Sequence, residues 1–398
     1  MQRRPFGALV LPLQTFLRTE AAGGILLLVA AFFALVWANV APSTYALAFD
    51  SALSLGSGLP SFTLRQLVNL GLMSVFFFVV GMEIKRELVL GELSSFGRAT
   101  LPAIAALGGM MLPAALFFAF NREGPARNGW GIPMATDIAF CVGVLALLKG
   151  RVPNALVVFV TALAIFDDIG GILVIALFYG QALRFEWLLA AVSLGLVALA
   201  MNRAYVTSGL AYALLGIGFW YMLHQSGIHA AIAGVALGLS IPARPAEGTR
   251  EGVTPPIERF LPFLHPFVSF LVMPFFALAN SGVSLRAMGE LGHADPVALG
   301  AATGLFVGKQ LGIFGLTLLA VRIGVAPLPG GATRAQLYGA SVLSGIGFTV
   351  ALFIAALAYP NDPDLLERAK IGILAGSAAS GVAGYAVLRF AHARAGQV

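Results

Sequence analysis

The chain has 398 residues, of which 59% are hydrophobic and 11% are charged, and its formal net charge is +6. Soluble domains carry about 25% charged residues, so the composition excludes a soluble protein and predicts an all-α integral membrane protein. The Lys and Arg residues are dispersed between apolar runs, which excludes a basic surface for nucleic acid. The single cysteine, Cys141, excludes an intrachain disulfide and a cysteine-based metal cluster.

Apolar runs long enough to span a lipid bilayer, about 20 residues each, recur along the whole chain. Charged or turn residues separate these runs, which predicts about twelve transmembrane helices in a single domain over residues 1–398. In chain order the runs are 21–41, 66–84, 99–120, 129–148, 153–179, 185–201, 207–223, 226–241, 261–283, 296–320, 335–358 and 366–390.

The distribution of basic residues predicts the orientation. With the N-terminus inside, 16 of the 24 Lys and Arg residues lie on the inner side and seven lie on the outer side. This excess follows the positive-inside rule and places both termini in the cytoplasm. The longest outer loop, residues 42–65, contains Gly56, Gly58 and Pro60, which favour a small hairpin.

Two of the runs, 129–148 and 335–358, contain helix-breaking residues. The residues at the breaks are Thr136 and Asp137 in the first run, and Gly345, Gly347 and Thr349 in the second. An interrupted helix frees backbone groups that only protein or a water-filled cavity can satisfy, and transporters use such groups to bind ions. We therefore predict two interrupted helices. The alternatives are that glycine-rich helices simply pack closely and that a buried aspartate simply caps a helix.

Two adjacent aspartates, Asp167 and Asp168, lie near the centre of the run 153–179. Each ionised carboxylate costs about 2.5 kcal/mol or more at that depth, so the pair indicates movement of ions or protons. Adjacent helical residues point about 100° apart. Lys309, in the middle of another run, needs an acidic partner or must lose its proton. We predict that Asp167 faces Lys309 and handles a proton, while Asp168 binds a cation with Asp137.

Oxygen ligands suit small hard cations such as sodium or lithium. The predicted ligands are Asp137, Asp168, Thr136 and carbonyl groups freed at the breaks. Because a proton competes for the same oxygens, a site that opens alternately to each side gives exchange. If two carboxylates release protons for each cation, the cycle moves net charge, and the membrane potential contributes about 2.3 kcal/mol per charge per 100 mV. Lys309 then either carries a proton or serves as a structural ion-pair partner.

Seven motifs, spread over nearly the whole chain, identify a family when they are taken together. They are Phe77-Phe-Val-Val-Gly-Met-Glu-Ile-Lys-Arg-Glu87, Ala135-Thr-Asp-Ile-Ala-Phe140, Asp167-Asp168, Gly227-Ile-His-Ala230, Leu264-His-Pro266, Gly308-Lys309 and Ser344-Gly-Ile-Gly-Phe-Thr349. In their order and spacing, these motifs resemble those of the NhaA sodium/proton antiporters.

The resemblance implies a twelve-helix protein of the bacterial inner membrane, with inverted-topology repeats and two crossed, interrupted helices. It implies electrogenic export of sodium or lithium by alternating access, in exchange for about two protons per cation. Alkaline pH would activate this exchange, and no cofactor is expected. The resemblance also implies a homodimer that forms through a small outer β-hairpin at residues 45–64.

The resemblance assigns roles to individual residues as well. The cation and proton site corresponds to Asp167, Asp168, Asp137 and Thr136, with Gly345, Gly347 and Thr349 supporting the second break. The charge-balancing lysine corresponds to Lys309. The pH-responsive cytoplasmic entrance corresponds to Glu83, Lys85, Arg86, Glu87 and His265.

The chain departs from the family pattern at four positions. Leu70 and Gln310 stand where an aspartate and a proline are expected. Leu261 and Pro262 replace an acid and a histidine before the Leu-His-Pro motif. These departures spare the core site, but they predict a pH activation that is shifted or shallower than is usual for the family.

Two other functions fit parts of the pattern. A sodium-coupled symporter of similar fold remains open, since it would differ by having a pocket for an organic substrate. An intramembrane aspartyl protease needs two acids on separate helices, and Asp137 and Asp167 have that arrangement. Its Tyr-Asp and Gly-x-Gly-Asp motifs are absent, because Thr136 and Phe166 precede these acids. We therefore expect a transporter rather than an enzyme.

Overall fold

The computed structural model describes residues 6–53, 61–148, 150–180, 182–244, 254–286 and 295–395. Within these ranges the secondary structure is almost entirely helical, as the composition predicts. The helices are α1 (Phe6–Val40), α2 (Pro42–Asp50), α3 (Leu64–Val89), α4 (Phe96–Phe120), α5 (Ile138–Leu147), α6 (Asn154–Phe178), α7 (Phe185–Arg203), α8 (Gly209–Gln225), α9 (Ala231–Ser240), α10 (Pro256–Asn280), α11 (Pro296–Arg322), α12 (Arg334–Leu343), α13 (Phe348–Ala358) and α14 (Pro363–Ala395).

Nine helical segments among the described residues are long and apolar enough to cross a membrane. One of them joins a 3-10 helix, Pro125–Met134, to α5, and a tenth candidate is the pair α12 and α13, which is bent by 43° at its break. Two of the twelve predicted spans, 207–223 and 226–241, correspond to α8 and α9, which have 17 and 10 residues. At 1.5 Å per residue α9 is about 15 Å long, half of a bilayer core. The number twelve and the inverted repeats therefore remain predictions.

The loop that is predicted to lie on the outer side contains a two-stranded sheet. Strand β1 (Ala52–Leu53) pairs antiparallel with β2 (Phe62–Thr63), with Ala52 opposite Thr63 and Leu53 opposite Phe62. The predicted turn residues between them lie outside the described residues. The first part of the predicted hairpin, residues 45–50, belongs to α2 instead, because Pro42 starts a helix there and places Tyr45 and Phe49 in ring contact.

The chain forms two compact units. The first unit contains Met1–Phe33, Thr100–Asp167 and Val283–Val398, and the second contains Ala34–Ala99 and Asp168–Gly282. Helix α6 belongs to both, since the division falls between its two aspartates. The first unit therefore contains both interrupted helices, Asp167 and Lys309.

In the first unit, α4 and α11 cross at short range, and this crossing positions Lys309. A Cβ atom on Gly308 would lie 2.8 Å from the Pro113 Cα, and a Cβ on Gly109 would lie 2.8 Å from the Ile313 Cγ1. The glycines allow the two backbones to approach, as small residues do in membrane helices. They also leave room for the aliphatic part of the Lys309 side chain, which is 0% exposed.

Three long helices contain a π-helical turn, which the sequence analysis does not predict. These turns are Val68–Leu72 in α3, Val268–Val272 in α10 and Gly304–Gly308 in α11. Such turns occur frequently at functional sites. In α11 the amide of Lys309 donates to the carbonyl of Gly304, five residues earlier, so the π-turn ends directly at the buried lysine.

In the second unit, α3 packs closely against α9. The contact is lined by Gly81 on α3 and by Gly234 and Gly238 on α9, and a Cβ on Gly238 would lie 2.8 Å from the Met82 nitrogen. These glycines therefore allow the two helices to pack closely, as small residues do in membrane helices. Helix α10 also packs against α3.

Candidate functional site

The centre of the candidate site is the place where the two interrupted helices meet. Asp137 is the N-cap of α5, and its Oδ1 accepts a hydrogen bond from the Phe140 amide at 3.1 Å. Its Oδ2 accepts from the amide of Thr349 at 3.1 Å and from the hydroxyl of Thr349 at 2.5 Å. Thr349 lies in the first turn of α13. One buried carboxylate thus caps two helix N-termini, whose unpaired N–H groups and positive dipole ends favour a negative charge.

Further backbone groups at the breaks are also paired within the protein. The amide of Asp137 donates to the carbonyl of Ile346 at 2.6 Å, and the Cys141 thiol lies 3.3 Å from the carbonyl of Leu343. A Cβ on Gly347 would lie 2.8 Å from the Ala135 carbonyl oxygen, and one on Gly345 would lie 3.1 Å from the Ser380 Cβ. The predicted break glycines therefore permit this close approach. The arrangement fulfils the membrane's requirement that irregular backbone be paired.

Asp137 should contribute strongly to stability because it caps two helices. We expect Asp137→Ala to lower the free energy of unfolding by about 1–4 kcal/mol, since each N-cap contributes about 0.5–2 kcal/mol. Thr333→Ala is a matched control, because Thr333 caps only α12. Thermal unfolding of the purified protein in detergent measures both. A smaller loss in Asp137→Ala than in Thr333→Ala would contradict the double cap.

Lys309 forms a buried ion pair with Asp167. Its Nζ donates to the Asp167 Oδ2, and neither side chain is exposed. The same Nζ donates to the Thr136 hydroxyl oxygen at 2.8 Å, and that hydroxyl lies 2.5 Å from the Asp167 Oδ2. The structure thus pairs Lys309 with the aspartate that the sequence analysis assigns to it. Thr136, predicted as a cation ligand beside Asp137 and Asp168, contacts Asp167 and Lys309.

The Thr136 hydroxyl has two acceptors but only one hydrogen. Besides the carboxylate of Asp167, it lies 2.9 Å from the carbonyl oxygen of Ser344, the residue that ends α12. A carbonyl at the second break therefore lies within hydrogen-bonding distance of Thr136, while the predicted role of such carbonyls as cation ligands stays a prediction. Sequence analysis does not identify which residue supplies this carbonyl, because the choice depends on where α12 ends.

One oxygen of Asp167 remains available for a proton or a cation. The Oδ1 atom is buried and accepts no hydrogen bond from any residue that the structure describes. A buried carboxylate oxygen without a partner is costly, and functional sites are where such costs are retained. Asp168, the next residue of α6, is also buried and belongs to the second unit.

No group of three or more His, Cys, Asp or Glu side chains in the described ranges is arranged to hold a metal ion. A transported cation would therefore need hydroxyl and carbonyl oxygens in addition to carboxylates. Two such oxygens are the Thr136 hydroxyl, which contacts Asp167, and the Ser344 carbonyl, which contacts Thr136. These are ligands of the hard kind that sodium and lithium prefer.

The predicted entrance residues lie in the second unit and are only partly gathered. His265 on α10 lies 2.5 Å from Glu83 on α3, measured from Nε2 to Oε1. Glu87 accepts from the amide of Glu92 at 3.0 Å, and its separation of 3.9 Å from Arg86 makes a weak ion pair. Lys85 is partly exposed.

The departures from the family pattern have different structural settings. Leu261 is buried in the apolar core of the second unit, and Pro262 is exposed. Leu70 contributes its carbonyl, which accepts from the Trp220 indole at 3.2 Å. The Oε1 of Gln310 accepts a hydrogen bond from the hydroxyl of Tyr338. No sequence motif points to Tyr338.

Comparison with known proteins shows which family the chain resembles. The family model described as Na+/H+ antiporter 1 matches residues 14–388. The chain is 55% identical to "Na(+)/H(+) antiporter NhaA" of Anaeromyxobacter sp. (strain Fw109-5), over 96% of this chain and 92% of the relative. It is 51% identical to "Na(+)/H(+) antiporter NhaA 1" of Myxococcus xanthus (strain DK1622), over 97% and 94%. It is 47% identical to "Na(+)/H(+) antiporter NhaA 2" of Pseudomonas syringae pv. syringae (strain B728a), over 94% of both chains.

Proposed function

This chain belongs to the Na+/H+ antiporter 1 family, and we propose that it exchanges sodium or lithium ions for protons through the cluster of Asp167, Thr136 and Lys309. The observation that carries the proposal is the position of the Lys309 ammonium group against the Asp167 carboxylate. A monovalent cation that binds this carboxylate must take the place of another positive charge. Cation and proton are therefore alternatives at one buried acid.

The exchange cycle follows from this competition. Without a cation, Lys309 is protonated and paired with Asp167, and Asp168 carries a second proton. When sodium binds to the two carboxylates, Lys309 leaves Asp167 and loses its proton, and Asp168 loses its own. Two protons are then released for each cation, so the cycle moves one net charge. The membrane potential contributes about 2.3 kcal/mol per 100 mV to each turn.

Asp137 supports this cycle by its charge. Its two oxygens already accept three hydrogen bonds from two helix N-termini and one hydroxyl group, so it is poorly placed to be the main ligand. A fixed negative charge near the breaks nevertheless lowers the energy of a cation there. This role keeps Asp137 in the cation site, in which Asp167 and Asp168 are the principal ligands.

The wider organisation is also proposed from the family. The chain would lie in the bacterial inner membrane as twelve helices in inverted repeats, with both termini in the cytoplasm and with alternating access to the two sides. The chain would form a homodimer through the β1–β2 segment of the outer loop. The excess of basic residues on the inner side and the antiparallel pairing of β1 with β2 support this organisation.

Reconstitution into proteoliposomes tests the exchange. A pH-sensitive dye reports proton movement while sodium, lithium or potassium is added at a series of pH values. Sodium and lithium should each move protons, and potassium should not. No organic solute should be required, which separates an antiporter from a symporter. Proton movement that is independent of sodium and lithium at every pH would refute the proposal.

The contact between His265 and Glu83 provides a test of regulation. Histidine is the side chain that most often changes its charge near physiological pH, and this contact is an ion pair only when the imidazole is protonated. We expect His265→Gln, which keeps a hydrogen bond but cannot become charged, to give a shallower pH activation with a similar maximal rate. His224→Gln, on α8, is the control. An unchanged pH profile in His265→Gln would remove the contact from the regulatory mechanism.

A further inference from the structure

Gln310, the residue after Lys309, makes two contacts that the exchange mechanism does not use. Its Nε2 donates to the carbonyl of Phe306 at 2.6 Å, and its Oε1 accepts from the hydroxyl of Tyr338 at 2.6 Å. Phe306 belongs to the π-turn that ends at Lys309, and Tyr338 lies on α12. This buried side chain therefore joins the π-turn of α11 to the first half of the second interrupted helix.

The same two helices are connected again at the C-terminal end of α12. There the Ser344 carbonyl oxygen lies 2.9 Å from the Thr136 hydroxyl, and that hydroxyl accepts from the Lys309 ammonium at 2.8 Å. The contacts form a closed ring. It runs from the Lys309 backbone through Gln310 and Tyr338, along α12 to Ser344, and back through Thr136 to the Lys309 side chain. The middle and the C-terminal end of α12 are thereby held relative to the lysine.

Packing keeps the Tyr338 hydroxyl directed at Gln310. The ring of Tyr338 meets the ring of Phe314 edge to face, with centroids 5.2 Å apart and planes at 73°. Phe314 lies one turn beyond Gln310 on α11. An edge-to-face aromatic pair is a favoured and directional contact, so it fixes the tyrosine against α11.

We propose that Gln310 and Tyr338 are positioning residues that hold Lys309 in its pairing with Asp167 and thereby oppose cation binding. This inference rests on the proposed exchange function. Proline is expected at position 310 from the family pattern, and proline has no amide side chain. We call the hydrogen bonds of Gln310 to Phe306 and Tyr338 the bridge, since they join α11 to α12. The bridge is therefore a feature of chains that carry this glutamine. It adjusts their cation affinity without altering the residues that bind the ion.

The simpler explanation is that a buried amide needs hydrogen-bond partners. That explanation predicts a loss of stability and no change in transport. The positioning role predicts a directional change, because the bridge exists in the state in which Lys309 is paired. Removing one hydrogen bond shifts an equilibrium by about 2- to 10-fold. The shift favours the cation-bound state, so the apparent KM for sodium should fall. Protons should then compete with sodium for the site only at lower pH.

The test uses Tyr338→Phe, Gln310→Met and the double variant of the full chain in proteoliposomes. Sodium is titrated at several pH values, and KM and maximal rate are determined separately. Thr317→Val is the matched control, because it removes a buried hydrogen bond of 2.6 Å to the Ile313 carbonyl on the same helix, outside the ring. We expect both single variants to lower KM by about 2- to 10-fold, and the double variant to match one single variant.

Three results would overturn the proposal. These are an unchanged or raised KM in both single variants, an equal shift in Thr317→Val, or additive effects in the double variant. The wild-type protein in the same vesicles separates this failure from that of the exchange function. If the wild type shows no sodium-dependent proton movement, both proposals fail. If it exchanges normally while the variants retain its KM and pH profile, the bridge alone is refuted.

Discussion

Asp167→Asn is expected to abolish sodium-dependent proton movement, with a loss of roughly 100-fold or more. The amide cannot hold a proton or a full charge, so neither Lys309 nor a cation has its partner. Breaking a buried ion pair by removing one member typically costs about 3–5 kcal/mol, which corresponds to a factor of this size. The same change should lower the free energy of unfolding, because it leaves the Lys309 ammonium group buried beside a neutral amide.

Two comparisons make this result specific. Asp295→Asn is a matched control, since Asp295 is another buried aspartate of the first unit and pairs with Arg368 at 3.1 Å. It should retain exchange. Asp168→Asn should abolish exchange without the loss of stability that Lys309 causes in Asp167→Asn. If Asp167→Asn retained exchange at a rate near the wild type, the assignment of the site would be wrong.

Lys309→Gln has the second largest expected effect, on the coupling of exchange to the membrane potential. Without the lysine proton, one proton would move for each sodium ion, and the cycle would carry no net charge. A potential of 100 mV contributes about 2.3 kcal/mol per charge, so the sodium gradient that it sustains should fall by roughly 50-fold. Because the ammonium group no longer competes for Asp167, the apparent KM for sodium should fall as well.

Charge movement is measured in proteoliposomes with an imposed potassium diffusion potential, alongside the sodium concentration dependence. Lys370→Gln serves as the control, because Lys370 is a second buried lysine in the first unit. Its replacement should leave the charge movement intact. Undiminished charge movement in Lys309→Gln would show that the lysine is a structural ion-pair partner and would assign the second proton to another group.

Much of the fold could be predicted from the sequence because hydrophobic length is a strong signal in membranes. The run 153–179 corresponds to α6, Asn154–Phe178, and the run 99–120 corresponds to α4, Phe96–Phe120. That Lys309 needs an acidic partner such as one of the two adjacent aspartates also followed from simple physics, while the choice of Asp167 was a hypothesis. A lysine at that depth needs an acid, and the adjacent aspartates point in different directions.

The parts that could not be predicted depend on packing between distant segments. The π-turn before Lys309 arises where α11 crosses α4, and no local pattern distinguishes it from ordinary helix. The position of Thr136 on Asp167 depends on where two breaks meet, and the break residues alone do not give that register. The contact of Tyr338 with Gln310 joins two residues that are 28 positions apart in the sequence, so only the unexpected glutamine hinted at a special role.

The single hydrogen of Thr136 has a consequence for how the state of the site could be observed. At any moment the hydroxyl can donate its hydrogen bond either to the carboxylate of Asp167 or to the carbonyl of Ser344. When a proton or a cation occupies Asp167 in place of this hydrogen bond, rotation of the Thr136 O–H bond directs the hydrogen to the Ser344 carbonyl. The stretching frequency of the Ser344 carbonyl then depends on whether a proton or a cation occupies Asp167. Isotope-edited infrared spectroscopy of the Ser344 carbonyl would follow the site directly, with no dye and no attached probe.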